Sequence, residues 1–209
     1  GVVPLEEALI VNDPAYRRRL MLSMLTEEPD AYLAQLQAAK LNDDVEVAHY
    51  AATAVAQISK ESDLKLQQLE RAFKTDPSAQ NLNEYCDFLG EYLGSGLAEG
   101  RVAQIQRQQY ARLLARRCER EDTLELRIRY ATALADVGQI DEAQAVTDQL
   151  VLDVPDEQEV WMLCLRLAVM RRDGDEVHRV IDAIDKQHVY LSADNREKLA
   201  FWRDGEEAR

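Results

Sequence analysis

The stretch DTLELRIRYATALADVGQIDEAQAVTDQLVLDVP, residues 122–155, decides the fold class of this chain. Its apolar residues recur at helical spacing on both sides of Gly138, and a second break follows at Pro155. Glycine ends helices because it accepts a left-handed backbone, whereas proline cannot continue a helix. The stretch therefore predicts a helix that ends at Gly138, followed by a second helix through Ala143 and Leu150.

The rest of the chain has the same helical character. Hydrophobic residues make up 46% and charged residues 31%, which is typical of a folded protein. Ala, Leu, Gln, Glu and Arg recur throughout, while the long Val, Ile and Thr runs of strands are missing. We therefore predict an all-α protein. The predicted helices are 4–11, 14–26, 30–41, 43–58, 61–75, 79–93, 100–120, 123–137, 140–153, 157–172, 175–187 and 193–203, with 43–58 and 61–75 able to form one long helix.

The chain is acidic, with 25 basic and 39 acidic residues and a formal net charge of −14. Such a field repels phosphate backbones and anionic lipid headgroups, so we expect neither nucleic acid nor a membrane surface as a partner. The basic residues are nevertheless clustered, as in Arg116-Arg117 with Arg120. We expect such clusters to be solvated helix faces or intrahelical ion pairs.

The 122–155 unit recurs along the chain. Trp161 falls 34 positions after Arg127, and Gly174-Asp175 predicts the next turn, about two residues later than the same period requires. The second helix of that unit has the apolar stripe Val177, Ile181 and Ile184.

Partial copies flank these two units. Upstream, residues 69–77 look like the end of another unit, with Ala72 and Pro77 in register. At the other end, Trp202 to Ala208 looks like a first helix that runs into a turn at Gly205. This last helix is either a solvating cap or the start of a further unit.

These units resemble the tetratricopeptide repeat (TPR), a helix–turn–helix of about 34 residues. In that family a Gly closes the first helix, a small residue packs between the helices and a Pro ends the unit; Gly138, Ala143 and Pro155 hold these places. The resemblance covers about residues 64–205. It implies a TPR-like helix–turn–helix solenoid at 61–209 with a Gly-rich connection near 90–100. A non-repeat helical segment at 1–60 is expected to pack on the repeats.

A second resemblance covers the N-terminal part as well. Residues 3–14, 41–52 and 85–97 are similar to the TPR region of the bacterial PelE family. That family belongs to the machinery for Pel exopolysaccharide synthesis and secretion, and its members carry membrane helices ahead of a cytoplasmic repeat region. The resemblance implies a cytoplasmic domain whose parent is anchored in the bacterial inner membrane. It also implies another inner-membrane Pel component as partner, with PelD the first candidate.

Catalytic patterns are missing from the sequence. His49 follows Glu46 at the Glu-x-x-His spacing of di-iron sites, but those sites need two such motifs, so we expect a packed or surface histidine. No Gly-rich phosphate loop or nucleophile elbow occurs. The cysteines Cys86, Cys118 and Cys164 are far apart, which favours reduced thiols over disulfides or a zinc site. We expect no metal, no cofactor and no enzymatic activity; a helical metal-dependent hydrolase remains the alternative from the enzyme class.

A binding surface is predicted from the repeat register. Solenoids of this kind present the first helix of each pair along a concave groove. The expected groove residues are Ile128, Thr132, Met162, Arg166 and Val169. Alternatively, Met162 and Val169 belong to the core. The sequence thus predicts a non-enzymatic scaffold whose groove binds an amphipathic helix of a partner, and the alternative is a soluble TPR regulatory module that binds a peptide or another cytoplasmic protein.

Overall fold

A computed structural model describes the backbone of residues 29–207 and the side chains of residues 33–204. This part of the chain contains helices and no strand, which confirms the all-α prediction. The predicted helices 4–11 and 14–26 lie outside the described residues, as does the PelE-like stretch 3–14. The helices are α1 (Pro29–Ala39), α2 (Val45–Thr75), α3 (Ala79–Gly94), α4 (Gly100–Arg120), α5 (Leu124–Asp136), α6 (Ile140–Asp153), α7 (Gln158–Met170), α8 (Gly174–Lys186) and α9 (Ala193–Glu207).

The chain divides into two compact units at Val102/Ala103. The boundary predicted at residue 60 falls inside α2, which is continuous across Ser59–Ser62. The alternative of one long helix is therefore confirmed. Lys60 and Glu61 are good helix formers, and two serines are too weak to break a helix that packs along its length.

In the first unit, α1 and α3 each pack against α2. Asp44 caps α2 by accepting hydrogen bonds from the backbone N–H groups of Glu46 and Val47 at 2.9 and 3.4 Å. The Tyr92 hydroxyl of α3 donates a 3.1 Å hydrogen bond to Asp63 of α2. The Gly-rich connection is shorter than predicted, because Gly90 lies inside α3 and only residues 95–99 link α3 to α4.

In the second unit, the helices recur with the repeat period that the sequence predicts. α5 begins at Leu124 and ends at Asp136, and α7 begins and ends one period later, at Gln158 and Met170. The second helices, α6 and α8, also begin one period apart, at Ile140 and Gly174. Each helix packs against the next one, and α5 also contacts α7. The unit is thus built from successive helix pairs stacked in chain order.

The buried positions follow the same period. Ala131, Leu165 and Leu199 lie at steps of one period on α5, α7 and α9, and all three are buried. On the second helices, the fully buried Ala143 of α6 corresponds to the buried Val177 of α8. Ala143 therefore packs between helices, as predicted.

Three details of the predicted repeats are wrong. The two-residue slip at the second turn does not exist, because Arg172 takes the left-handed backbone there and Gly174 is the first residue of α8. Ala72 is exposed, so it does not fill a packing position. The expected turn at Gly205 is absent, since α9 continues to Glu207.

Candidate partner-binding groove

A groove of about 540 Å³ lies along the alternate helices α5, α7 and α9 of the second unit. Thr132 comes from α5, and α7 contributes Met162, Arg166 and Val169 with their neighbours Glu159 and Met170. The α9 side consists of Asn195, Lys198 and Trp202. Because α5, α7 and α9 recur at the repeat period, the groove is a product of the repeat itself.

Four of the five predicted binding residues lie together in this groove. They are Thr132, Met162, Arg166 and Val169. The fifth, Ile128, does not line it; its half-buried side chain packs instead against the core formed by α7 and α8. Spacing along one helix face does not distinguish these two environments.

Met162 and Val169 belong to the core and to the groove at once. Both side chains are half-buried and pack against the cluster that contains Trp161 and Leu165. Their remaining surface lines the groove. The two alternatives raised by the sequence are therefore not exclusive, and the groove floor is anchored on the core.

The two cations of the groove are paired within the unit. Arg166 donates a 2.6 Å hydrogen bond to Asp136 at the end of α5, and both side chains remain more than two-fifths exposed. Lys198 lies 2.9 Å from Asp194 one turn earlier on α9. Arg166 thus ties α7 to α5 and still presents part of its guanidinium to the groove.

The α9 side of the groove was missed by the sequence analysis. Gln158 Oε1 at the start of α7 accepts hydrogen bonds from Ser192 N (2.8 Å) and Asn195 Nδ2 (2.9 Å). These bonds hold α9 beside α7 and so place Trp202 in the groove. The available signal was Trp202 itself, a large aromatic residue on a helix whose other apolar positions are few.

An aromatic pair extends the apolar surface beyond the groove. The rings of Phe201 and Trp202 meet edge to face, with centroids 5.2 Å apart. Phe201 is 68% exposed. Exposed aromatic rings beside a groove are typical of contact surfaces, where they supply large area at low entropic cost.

The thiols and His49 that the sequence analysis named lie in separate environments. Burial raises the pKa of the Cys164 thiol to about 11, and burial with the nearby Asp122 also raises that of Cys118. His49 is exposed, with its ring 6.2 Å from that of Tyr50. Within residues 29–207, no cluster of three or more His, Cys, Asp or Glu side chains could hold a metal ion.

No helix in the described part of the chain combines the length and the apolar character needed to cross a membrane.

The groove offers apolar area, two cations and an amide, which suit noncovalent binding of another chain.

Comparison of the chain with protein-family models, with curated proteins and with solved structures gives no match.

Proposed function

We propose that this chain is a non-enzymatic interaction module of TPR type that binds an amphipathic helix of another protein along the α5–α7–α9 groove. The observation that supports this most is the recurrence, at the repeat period, of the helices that line the groove. TPR arrays use the first helix of each pair in the same way. The TPR assignment itself remains part of this proposal.

The side chains of the groove fit a helix better than a small molecule. Met162, Met170 and Trp202 form an apolar strip with Phe201 beside it. Met, Trp and Arg are enriched where proteins meet, and methionine adapts its shape to a partner. A helix with apolar residues one turn apart would cover this strip and leave its polar face in solvent.

The partner is proposed from the resemblance to the PelE family. On that basis the module helps to assemble a Pel exopolysaccharide complex at the bacterial inner membrane, with PelD as the first partner to test. This part of the proposal rests on residues 3–14, 41–52 and 85–97 alone. It is separable from the groove, since an interaction module of the same architecture could serve another assembly.

The experiment measures binding of this chain to purified PelD by titration calorimetry. The groove variant carries Met162→Glu and Lys198→Glu, which place two carboxylates against the apolar strip. The control variant carries Leu152→Glu and Lys186→Glu, which change the net charge by the same amount at exposed positions on α6 and α8 outside the groove. Lys198→Glu loses an ion pair with Asp194 within α9, whereas Arg166 is left intact because its loss would break the contact with Asp136 that joins α7 to α5.

We expect the wild type and the control to bind equally, and the groove variant to bind at least about tenfold more weakly. If PelD binds all three proteins equally, the groove assignment is wrong. If PelD binds none of them, PelD is not the partner, and the exopolysaccharide assignment loses its first support. Circular dichroism of all three proteins shows whether a lost signal reflects unfolding.

A further inference from the structure

Helix α4 is strongly basic in an otherwise acidic protein. Its 21 residues carry six arginines and one glutamate, whereas the whole chain has 25 basic and 39 acidic residues. The part of α4 that belongs to the second unit begins at Ala103. Charge is therefore distributed unevenly, and α4 has a higher proportion of basic residues than the chain as a whole.

Three of the six arginines lie on one exposed face. Arg112, Arg116 and Arg120 follow at intervals of four residues, and all three are exposed. A helix rises about 6 Å and turns about 40° beyond a full circle over four residues, so these side chains form a row. Ile105 lies on the same face and is 55% exposed, while Leu113 and Leu114 on the remaining faces are buried.

The spacing of the row is unfavourable for α4 itself. The residues four positions apart are arginines, and like charges at that spacing destabilise a helix. The negative end of the helix dipole favours Arg117 and Arg120 in the last turn, but Arg112 lies two turns earlier. The intrahelical ion pairs expected from the sequence have one candidate acid within α4, Glu119.

The surroundings leave the row accessible. Arg112 lines a shallow groove of about 430 Å³ together with Gln108 of α4 and with Gln139 and Glu142 of α6. Arg116 and Arg120 also interact within the chain. An exposed guanidinium has five N–H donors, so an internal contact leaves donors for a partner.

We propose that the row Arg112, Arg116 and Arg120 is a second docking surface, which binds an acidic helix of a partner protein. Carboxylates spaced one helical turn apart on that partner would meet three arginines spaced one turn apart. Arginine pairs with carboxylates through two parallel hydrogen bonds, which gives geometric specificity as well as attraction. An aliphatic side chain on the partner helix would cover Ile105.

The charge of the whole protein argues for an acidic protein segment over a phosphate polymer. At a net charge of −14, a long polyanion meets repulsion as soon as it extends beyond α4. A short acidic helix covers only the basic row. The surface is separate from the groove of α5, α7 and α9, so either site can exist without the other.

The test uses two synthetic helical peptides with the same leucine face. One carries three Glu residues one turn apart and the other carries Gln in their places. Binding is followed by NMR through the Nε–H signals of the arginine side chains. We expect the Glu peptide to shift the signals of Arg112, Arg116 and Arg120, with an affinity that falls when salt is raised from about 50 mM to about 200 mM.

The paired variant is Arg112→Gln with Arg116→Gln, and we expect it to bind the Glu peptide about tenfold more weakly. The control is Arg171→Gln with Arg179→Gln, which removes two exposed arginines from the second unit outside α4 and should bind as the wild type does. Equal binding of the Glu and Gln peptides would overturn the proposal. Stronger shifts of the same signals with phosphatidylglycerol vesicles or with single-stranded DNA would also overturn it. So would shifts of these signals that depend on protein concentration when no peptide is present.

Discussion

Gly138 and Arg172 lie one repeat period apart and hold the same left-handed backbone conformation, with φ of 78° and 55°, at the ends of α5 and α7. In both turns the next backbone N–H reaches back five residues to close the helix. These bonds join Gln139 N to Leu134 O at 2.9 Å and Asp173 N to Ala168 O at 3.1 Å. The cap is therefore conformationally equivalent in the two units, although only one of them has the residue that suits it.

This equivalence predicts that substitutions at the two positions have opposite effects on stability. Left-handed backbone costs an L-residue about 1 kcal/mol relative to glycine. Arg172→Gly should therefore raise the free energy of unfolding by about 0.5–1 kcal/mol, and Gly138→Ala should lower it by about 1 kcal/mol. A Cβ added at Gly138 meets no atom within 4 Å, so the loss at that position is conformational and not steric. Urea unfolding monitored by circular dichroism checks both values, and a destabilised Arg172→Gly protein would contradict the argument.

The Tyr92–Asp63 contact predicts a pH effect in the first unit. Burial, followed by the charge and the hydrogen bond of Asp63, raises the pKa of Tyr92 from 10.0 to about 12. Between these two values the unfolded chain loses the proton while the folded chain keeps it, so stability falls as pH rises through this window. Absorbance titration at the tyrosinate band should show Tyr92 among the late-titrating tyrosines, together with Tyr130, whose pKa burial also raises, and Tyr92→Phe should remove the Tyr92 component.

The matched variant is Asp63→Asn, which removes the charge and retains the buried phenol. Tyr92 should then titrate earlier than in the wild type, because the charge of Asp63 no longer raises its pKa. At neutral pH, Tyr92→Phe should cost about 1 kcal/mol for the lost hydrogen bond. If Tyr92→Phe leaves the late-titrating absorbance unchanged, the pKa of Tyr92 is not raised and the argument fails.

The repeat period predicted much of the second unit, and the residues that escaped prediction have physical reasons. The sequence predicted the turn at Gly138 because glycine favours a left-handed position. Arg172 carries no such signal, so the next turn was predicted at Gly174, two residues away. Likewise, the repeat register placed Ile128 in the groove, whereas its half-buried side chain packs against the core cluster that contains Trp161 and Leu165. Groove residues on α9 depend on the bonds to Gln158, which reach across a full repeat. Long-range contacts of this kind leave little trace in a single sequence.

The three thiols should differ in reactivity. Cys86 and Cys164 are buried, and Cys118 is half-buried. Thiolate is the reactive form, so the pKa of about 11 makes Cys164 doubly protected, by burial and by protonation. In the native protein, iodoacetamide at neutral pH should alkylate Cys118 at least about tenfold faster than Cys164. Mass spectrometry of tryptic peptides measures the order, with urea-unfolded protein as the control in which the rates converge. Rapid alkylation of Cys164 in the native state would show that α7 opens locally.

Arg127 and Trp161 occupy equivalent positions in the two units but hold their helices by different contacts. The Trp161 ring is buried, and its Nε1–H donates a 2.7 Å hydrogen bond to the carbonyl of Pro155. Arg127 instead donates a 2.8 Å hydrogen bond to Asp153, whose side chain is 41% exposed. A buried aromatic ring with a satisfied polar atom contributes more than an exposed ion pair.

We expect Trp161→Phe to lower the free energy of unfolding by about 2 kcal/mol and Arg127→Ala to lower it by less than about 1 kcal/mol. High salt should shrink only the Arg127 effect, since screening weakens the ion pair and leaves the tryptophan contact unchanged. If the loss of stability in Arg127→Ala is the same at low and at high salt, Arg127 acts through packing of its side-chain stem and not through its charge.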